Sequence, residues 1–235
     1  MSFFKDMIAV FKKRELLLLE RYEEAEGVYT FLFEKPDDLT WEAGQHGLFT
    51  ITHKKIKNAT RPFTVASAPV ENVVKLTMRI KDNPSDFKQE MLELKQGMKI
   101  SISGPVGSFH LENNSPSILI AGGIGITPFR SILKQIEAEG SLHENPIHLL
   151  YLDSDKSHIF KDELDEIANY PAIHVTYLDT REDLHQEINQ FSDLYQNNGN
   201  YFIAGPKTMV ESISSHLRNN DVPKRNIKKD AFFGY

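Results

Sequence analysis

The chain has 235 residues, a formal charge of −6 and 40% hydrophobic content, enough for one large domain or two modest ones with a real core. It has no cysteine, which excludes disulfides, cysteine-ligated iron–sulfur clusters and thiol chemistry. Its nine histidines form no close ligand pair, so no metal site is expected, and the acidic balance gives no reason to expect nucleic acid.

No apolar run approaches the roughly 20 residues of a membrane span. The apolar residues at the N-terminus are interrupted by Lys5, Asp6, Lys12 and Lys13, unlike a signal peptide, so the cytoplasm is the expected location. Residues 1–14 read as a short amphipathic helix, with Phe3, Phe4, Met7, Ile8 and Phe11 near one face and Lys5, Lys12, Lys13 and Arg14 elsewhere. Such a helix docks on the protein body or a second subunit; a membrane-surface anchor is the other reading.

Residues 15–112 have a β texture. Val28 to Phe33 alternates, as does Val74 to Ile80, and short runs at Gly47–Thr52, Arg61–Ala66 and Met98–Ser103 add further strands. Short strands separated by turn signals predict a small antiparallel β-barrel. One helix interrupts it at Asp86–Leu94, with Phe87, Met91 and Leu94 on one side and Ser85 as its cap.

A polar linker at Glu112–Pro116 precedes a second domain over residues 115–235. Apolar strands at Ile118–Ala121, Ile147–Leu152, Ile173–Leu178 and Tyr201–Ala204 alternate there with helical segments. This pattern predicts an α/β domain with a parallel sheet, which binds ligands beyond the carboxyl ends of its strands. The first strand runs into Gly122-Gly123-Ile124-Gly125-Ile126-Thr127-Pro128. Here Thr127 is expected as a helix N-cap and Pro128 at the first helical position. A strand, a glycine turn and a helix N-terminus make an anion site, because free N–H groups and the positive end of the helix dipole point at one spot.

Other stretches carry chemistry. Arg61-Pro62-Phe63-Thr64 offers a fixed cation suited to phosphate, a flat ring and a small hydroxyl donor. Gly104-Pro105-Val106-Gly107-Ser108-Phe109 is a tight turn closing the first half. Ala204-Gly205-Pro206-Lys207-Thr208-Met209 is a second strand-to-helix glycine turn, and the chain ends on Phe232-Phe233-Gly234-Tyr235. In this order the five motifs resemble those of the ferredoxin–NADP reductase family and related flavin reductases, over almost the whole chain from about Glu15 to Tyr235.

The resemblance implies a flavin-binding barrel followed by a nicotinamide-dinucleotide domain, with the flavin between them. Arg61 would pair with the flavin phosphate, with Pro62 and Phe63 in the same binding strand, and Thr64 would face flavin N5. Ser85 and the following helix would hold a pyrophosphate, which points to FAD over FMN. Tyr235 would cover the isoalloxazine ring. Gly122, Gly123, Gly125 and Thr127 would hold the dinucleotide pyrophosphate, with Gly205 and Pro206 near the nicotinamide. Ala204 stands where many relatives have a cysteine beside the transferred hydride, Phe63 where many have tyrosine, and Asp82-Asn83-Pro84-Ser85 lacks the glycine often found before that serine.

Thr180 and Arg181 resemble the 2′-phosphate site of NADPH-using relatives, which favours NADPH over NADH, although Asp153 and Asp155 oppose it. The expected activity is an NAD(P)H-dependent flavoprotein oxidoreductase. Electrons leave to a separate acceptor such as ferredoxin or flavodoxin, steered by Lys54, Lys55 and Lys57 and by Lys224, Arg225, Lys228 and Lys229. Two alternatives are a reductase subunit of a larger, membrane-attached electron-transfer complex and a non-catalytic flavin- or nucleotide-sensing module.

Overall fold

Buried and exposed side chains alternate along six strands in the N-terminal half: β1 (Lys13–Ala25), β2 (Val28–Glu34), β3 (His46–Thr50), β4 (Thr60–Thr64), β5 (Val73–Arg79) and β6 (Lys99–Val106). The computed structural model describes residues 12–111, 115–140 and 145–232. The chain divides into two units, Met1–His110 and Leu111–Tyr235.

The first unit is an antiparallel sheet of order β4-β3-β6-β1-β2-β5. Its two edges meet just past β4. Ala66 N donates to Lys75 O at 2.8 Å, and Ser67 Oγ donates to Val73 O at 2.6 Å while accepting from Lys75 N at 3.0 Å. These bonds bring the end of β4 onto β5 and close the barrel. Its core gathers Leu16, Leu18, Phe31, Phe33, Phe49, Leu76 and Ile102, all at most 1% exposed. One helix, α1 (Asp86–Glu93), closes over this core through Phe87 and Met91.

Two expectations need correction. β1 begins at Lys13, so Lys13 and Arg14 belong to a strand rather than to the N-terminal helix; they pair with Ser103 and Ile102 of β6, and that ladder fixes them as extended. The rest of that helix, residues 1–11, lies outside the described residues, as does Tyr235. The expected turn at Gly104 is instead part of β6, which runs on to Val106 before the chain turns at Gly107 (φ +118°).

The second unit is a five-stranded sheet of order β11-β10-β7-β8-β9. Its strands are β7 (Ser117–Gly122), β8 (Ile147–Leu152), β9 (Ile173–Leu178), β10 (Asn200–Pro206) and β11 (Ile227–Phe232), and all adjacent pairs are parallel. Its helices are α2 (Ile126–Glu139), α3 (Lys161–Ile167), α4 (Arg181–Tyr195) and α5 (Lys207–Asn219). Ile118, Ile120 and Ile203 pack against Leu184, Ile188 and Phe191 of α4 and Val210, Ile213 and Leu217 of α5. Alternation turns Leu119 and Leu149 to the opposite face. β11 has no apolar run and was not expected; its charged sequence Ile227-Lys228-Lys229-Asp230 suits the edge strand that it forms.

His148 and His216, each beside a second histidine, make this unit pH-sensitive. The His148 and His174 rings lie 4.9 Å apart, and the His185 and His216 rings 4.4 Å apart. Burial, and then the neighbouring histidine, lowers the pKa of His148 and of His216 from 6.5. The fold therefore binds fewer protons than the unfolded chain just below pH 6.5, so this stabilisation is complete above that value and is lost as the pH falls through it. The melting temperature should drop between about pH 7.5 and about pH 5.5, and His216→Asn should flatten the slope. A melting temperature independent of pH over that range would show that His148 and His216 are not held neutral.

Candidate functional site

In the second unit, the two glycine turns lie back to back at the carboxyl ends of β7 and β10. A Cβ on Gly125 would lie 2.2 Å from Ala204 O and 2.8 Å from Gly205 Cα. One on Gly122 would lie 2.3 Å from Met209 Sδ, and one on Gly205 (φ +152°) would lie 3.1 Å from Gly122 O. At Gly125 and Gly205 the opposing atoms are backbone, so the packing of one turn on the other requires glycine there, whereas at Gly122 the Met209 side chain could shift. Gly123 differs: it has φ +52°, and the nearest atom to its Cβ position is Asp153 Oδ1 at 3.9 Å. It is the one glycine of the first turn that leaves its backbone open to a ligand.

The helix start also differs from expectation. A 3-10 turn over Gly123–Gly125 leads directly into α2, so Gly125 takes the N-cap place. Thr127 becomes the second helical residue, and its hydroxyl donates to Ile124 O at 3.1 Å instead of capping the helix. Pro128 remains in the first turn, where its missing N–H costs little. Ala204 is fully buried in β10, in register with Ala121 of β7 and Asp230 of β11. Pro206 ends β10 and is exposed.

Thr180 and Arg181 open α4 beyond β9. The Thr180 hydroxyl accepts from Asp183 N at 3.1 Å and donates to Asp183 Oδ2 at 2.6 Å. Its proton is committed to a helix cap, which competes with the expected phosphate contact. Arg181 is exposed at the first helical position, followed by Glu182 and Asp183. On the adjoining loop, Asp153 is 2% exposed and accepts from Asp155 N, Ser157 Oγ and His158 N. It organises its own loop rather than facing outward as a free charge. Asp179 pairs with Lys156 at 2.8 Å.

In the first unit, Arg61, Pro62, Phe63 and Thr64 lie on β4, which among the described residues pairs in a ladder with β3 alone. That edge position tolerates a proline within the strand. Alternation places Arg61 and Phe63 on one face and Pro62 and Thr64 on the other. Arg61 is half-buried, and its guanidinium has no hydrogen bond or ion pair among the described residues. Thr64 is 6% exposed, and its Oγ1 is buried without a hydrogen-bond partner among those residues. Phe63 is already engaged: its ring stacks on Phe87 of α1 at 5.4 Å and meets Phe49 edge-on at 6.3 Å. Ser85 is exposed at the N-cap of α1 and makes no capping bond.

A guanidinium and a hydroxyl without partners among the described residues, together with an uncapped helix end, are the donors that a phosphate-bearing flavin needs. The residues present therefore fit FAD.

One charged group escaped the sequence reading. Glu90 is 6% exposed on α1 and accepts from Lys54 Nζ at 2.5 Å and from His53 Nε2 at 3.3 Å. Its position three residues after Phe87, within the apolar stripe of α1, was the available signal. The pairing also takes up the charge of Lys54, leaving Lys55 and Lys57 as the cations of that cluster with no ion pair among the described residues.

Among the described residues no group of three His, Cys, Asp or Glu side chains can hold a metal ion. No helix among them is long and apolar enough to cross a membrane.

Residues 11–125 match the model of an FAD-binding domain and residues 119–215 that of an oxidoreductase NAD-binding domain. The toluate 1,2-dioxygenase electron transfer component of Pseudomonas putida is 31% identical over 149 residues, covering 59% of this chain and 44% of that protein. The chain spans 44 to 60% of the length of the first curated relatives it matches.

Among solved structures, ferredoxin-NADP+ reductase from Plasmodium falciparum shares the fold with TM-score 0.83 at 18% identity, over 97% of this chain and 99% of that one. A ferredoxin NADP+ reductase from Neisseria gonorrhoeae with bound FAD and NADP does so with TM-score 0.78 at 19% identity, over 94% and 99%. With its barrel, its parallel sheet and both domain matches, the chain belongs to the ferredoxin–NADP reductase-like family of flavin oxidoreductases.

Proposed function

We propose that this chain takes electrons from NAD(P)H by way of FAD and passes them to a separate acceptor protein. The observation that carries the flavin half of this reading is the buried, unpartnered hydroxyl of Thr64, three residues after the unpaired Arg61. A buried donor without a partner is costly, and a flavin edge would satisfy it. When bound, FAD and the nicotinamide supply the hydride and electron transfer themselves. The protein's part is to bind and orient: Arg61 neutralises phosphate, Thr64 donates to the flavin edge, Ser85 and the start of α1 hold the second phosphate, and Gly123 admits the dinucleotide. Ala204 contributes no acid, base or nucleophile, and none is needed where two rings are held in contact and water is excluded.

The acceptor in this reading is a small redox protein such as ferredoxin or flavodoxin. The chain has no cysteine with which to hold an iron–sulfur cluster of its own. A second reading, a reductase component of a larger assembly, is favoured by the relative from Pseudomonas putida, which is named as an electron transfer component and of which this chain spans 44%.

Arg181 is assigned to the 2′-phosphate of NADPH, acting without Thr180. The test is an absorbance spectrum of the FAD-loaded protein, followed by anaerobic addition of NADPH or NADH. Flavin bands should bleach, and Arg181→Ala should slow reduction by NADPH about tenfold while changing NADH less than about twofold. Equal losses with both nucleotides would remove the phosphate role from Arg181. Bands that persist with either nucleotide would favour a sensing module over a reductase.

A further inference from the structure

Helix α1 has eight residues and no side-chain cap at its N-terminus. Helices this short are marginal alone, so tertiary contacts must set their position. Phe87 holds the N-terminal half of α1 against β4 by stacking on Phe63 at 5.4 Å. The C-terminal half packs on the same core through Met91, but its tie to the β3–β4 loop is polar. There Glu90 accepts from Lys54 Nζ at 2.5 Å and His53 Nε2 at 3.3 Å, both on the loop between β3 and β4. The loop and the helix do not fill the space between them: a cleft of about 450 Å³ is lined by His53, Lys54, Glu90 and Met98, among others. Ionic contact, rather than packing, bridges that gap.

The placement of this bridge gives it a role. The loop that carries His53 and Lys54 leads into β4 with Arg61, and the helix that carries Glu90 begins at Ser85. Lys54 is drawn toward the helix by Glu93 and Asp86 as well as by Glu90. We propose that Glu90 is a positioning residue for FAD. By clamping the β3–β4 loop to α1, it sets the span between the cation for the first flavin phosphate and the helix end for the second. The inference rests on the flavin reading of Arg61 and Ser85 given above. It makes Glu90 matter to the half of FAD that FMN lacks, because FMN has one phosphate, which Arg61 alone serves.

The experiment measures FAD and FMN affinity by fluorescence titration for wild type, Glu90→Ala, Glu90→Gln and the double variant His53→Ala/Lys54→Ala, with a melting curve for each. Glu90→Ala should weaken FAD about tenfold and leave FMN within about twofold. Glu90→Gln, which still accepts from Lys54, should restore FAD to within about threefold of wild type. Adding Glu90→Ala to the double variant should bring no further loss, since the clamp is already open.

Equal weakening of FAD and FMN would reduce Glu90 to a structural residue and overturn the proposal. So would additive losses, or FAD affinity unchanged in Glu90→Ala. Should Glu90→Ala not fold, the double variant alone carries the FAD-against-FMN comparison. Wild-type protein that binds neither flavin would overturn the flavin reading itself, and the inference with it. A wild type that binds FAD with variants that do not discriminate would overturn the inference alone.

Discussion

Gly125→Ala is expected to cost at least about 3 kcal/mol of stability in the second unit and to abolish nucleotide binding with it. The new Cβ would sit 2.2 Å from Ala204 O, 2.6 Å from Ala204 C and 2.8 Å from Gly205 Cα. All three are backbone atoms of β10, a strand paired on both sides, by β7 and by β11. No side chain can rotate away to make room, so the two turns must separate. Gly140→Ala is the control. Gly140 has φ +58° but nothing within 4 Å of its Cβ position, so that variant should lose only about 1 kcal/mol, from backbone conformation alone. Urea unfolding of the two variants decides the matter; equal, small losses would show that the turns are not in close contact.

Arg61→Ala is expected to weaken FAD binding about 30- to 150-fold, the worth of a charge-assisted phosphate contact of about 2–3 kcal/mol. Its stability should hardly change, because Arg61 has no ion pair among the described residues and lies on an edge strand. That separation makes the variant informative: loss of flavin without loss of fold assigns the guanidinium to the ligand. Arg61→Lys should recover part of the affinity, since an ammonium keeps the charge but not the planar fork. Affinity within about twofold of wild type in Arg61→Ala, read by flavin fluorescence, would place the phosphate elsewhere.

Both variants touch motifs that the sequence displays openly, yet for different reasons. Arg61 stands out because its neighbours in sequence are unusual for a strand, a proline beside an aromatic and a hydroxyl. Local signals of that kind survive in one dimension. The role of Gly125 is not of that kind. As a sequence feature it reads as a ligand-binding glycine, whereas the contact that demands it comes from Ala204 and Gly205, some 80 residues further on. Thr180 shows the same divide: its hydroxyl looks available beside Arg181 until Asp183, three residues on, is seen to hold it from both sides.

The missed elements also have physical causes. β11 was hidden because an edge strand carries charge where a central strand carries valine or isoleucine. The start of β1 was hidden because its Lys13 and Arg14 continue a plausible helical face, and only pairing with Ser103 and Ile102 makes them extended. Glu90 has no partner next to it in sequence to mark it; its partners lie 36 and 37 residues away.

What the sequence by itself determined was the fold class and the inventory of donors. Periods of two, then alternating apolar strands and helices, require an antiparallel barrel followed by a parallel sheet, because each pattern buries its apolar side in only one way. What only the tertiary structure decided was the use of each donor: which glycine stays open, which hydroxyl is free and which carboxylate is buried. Those choices depend on distances between segments far apart in the chain, and such distances are set by how whole elements pack, not by the residues next in line.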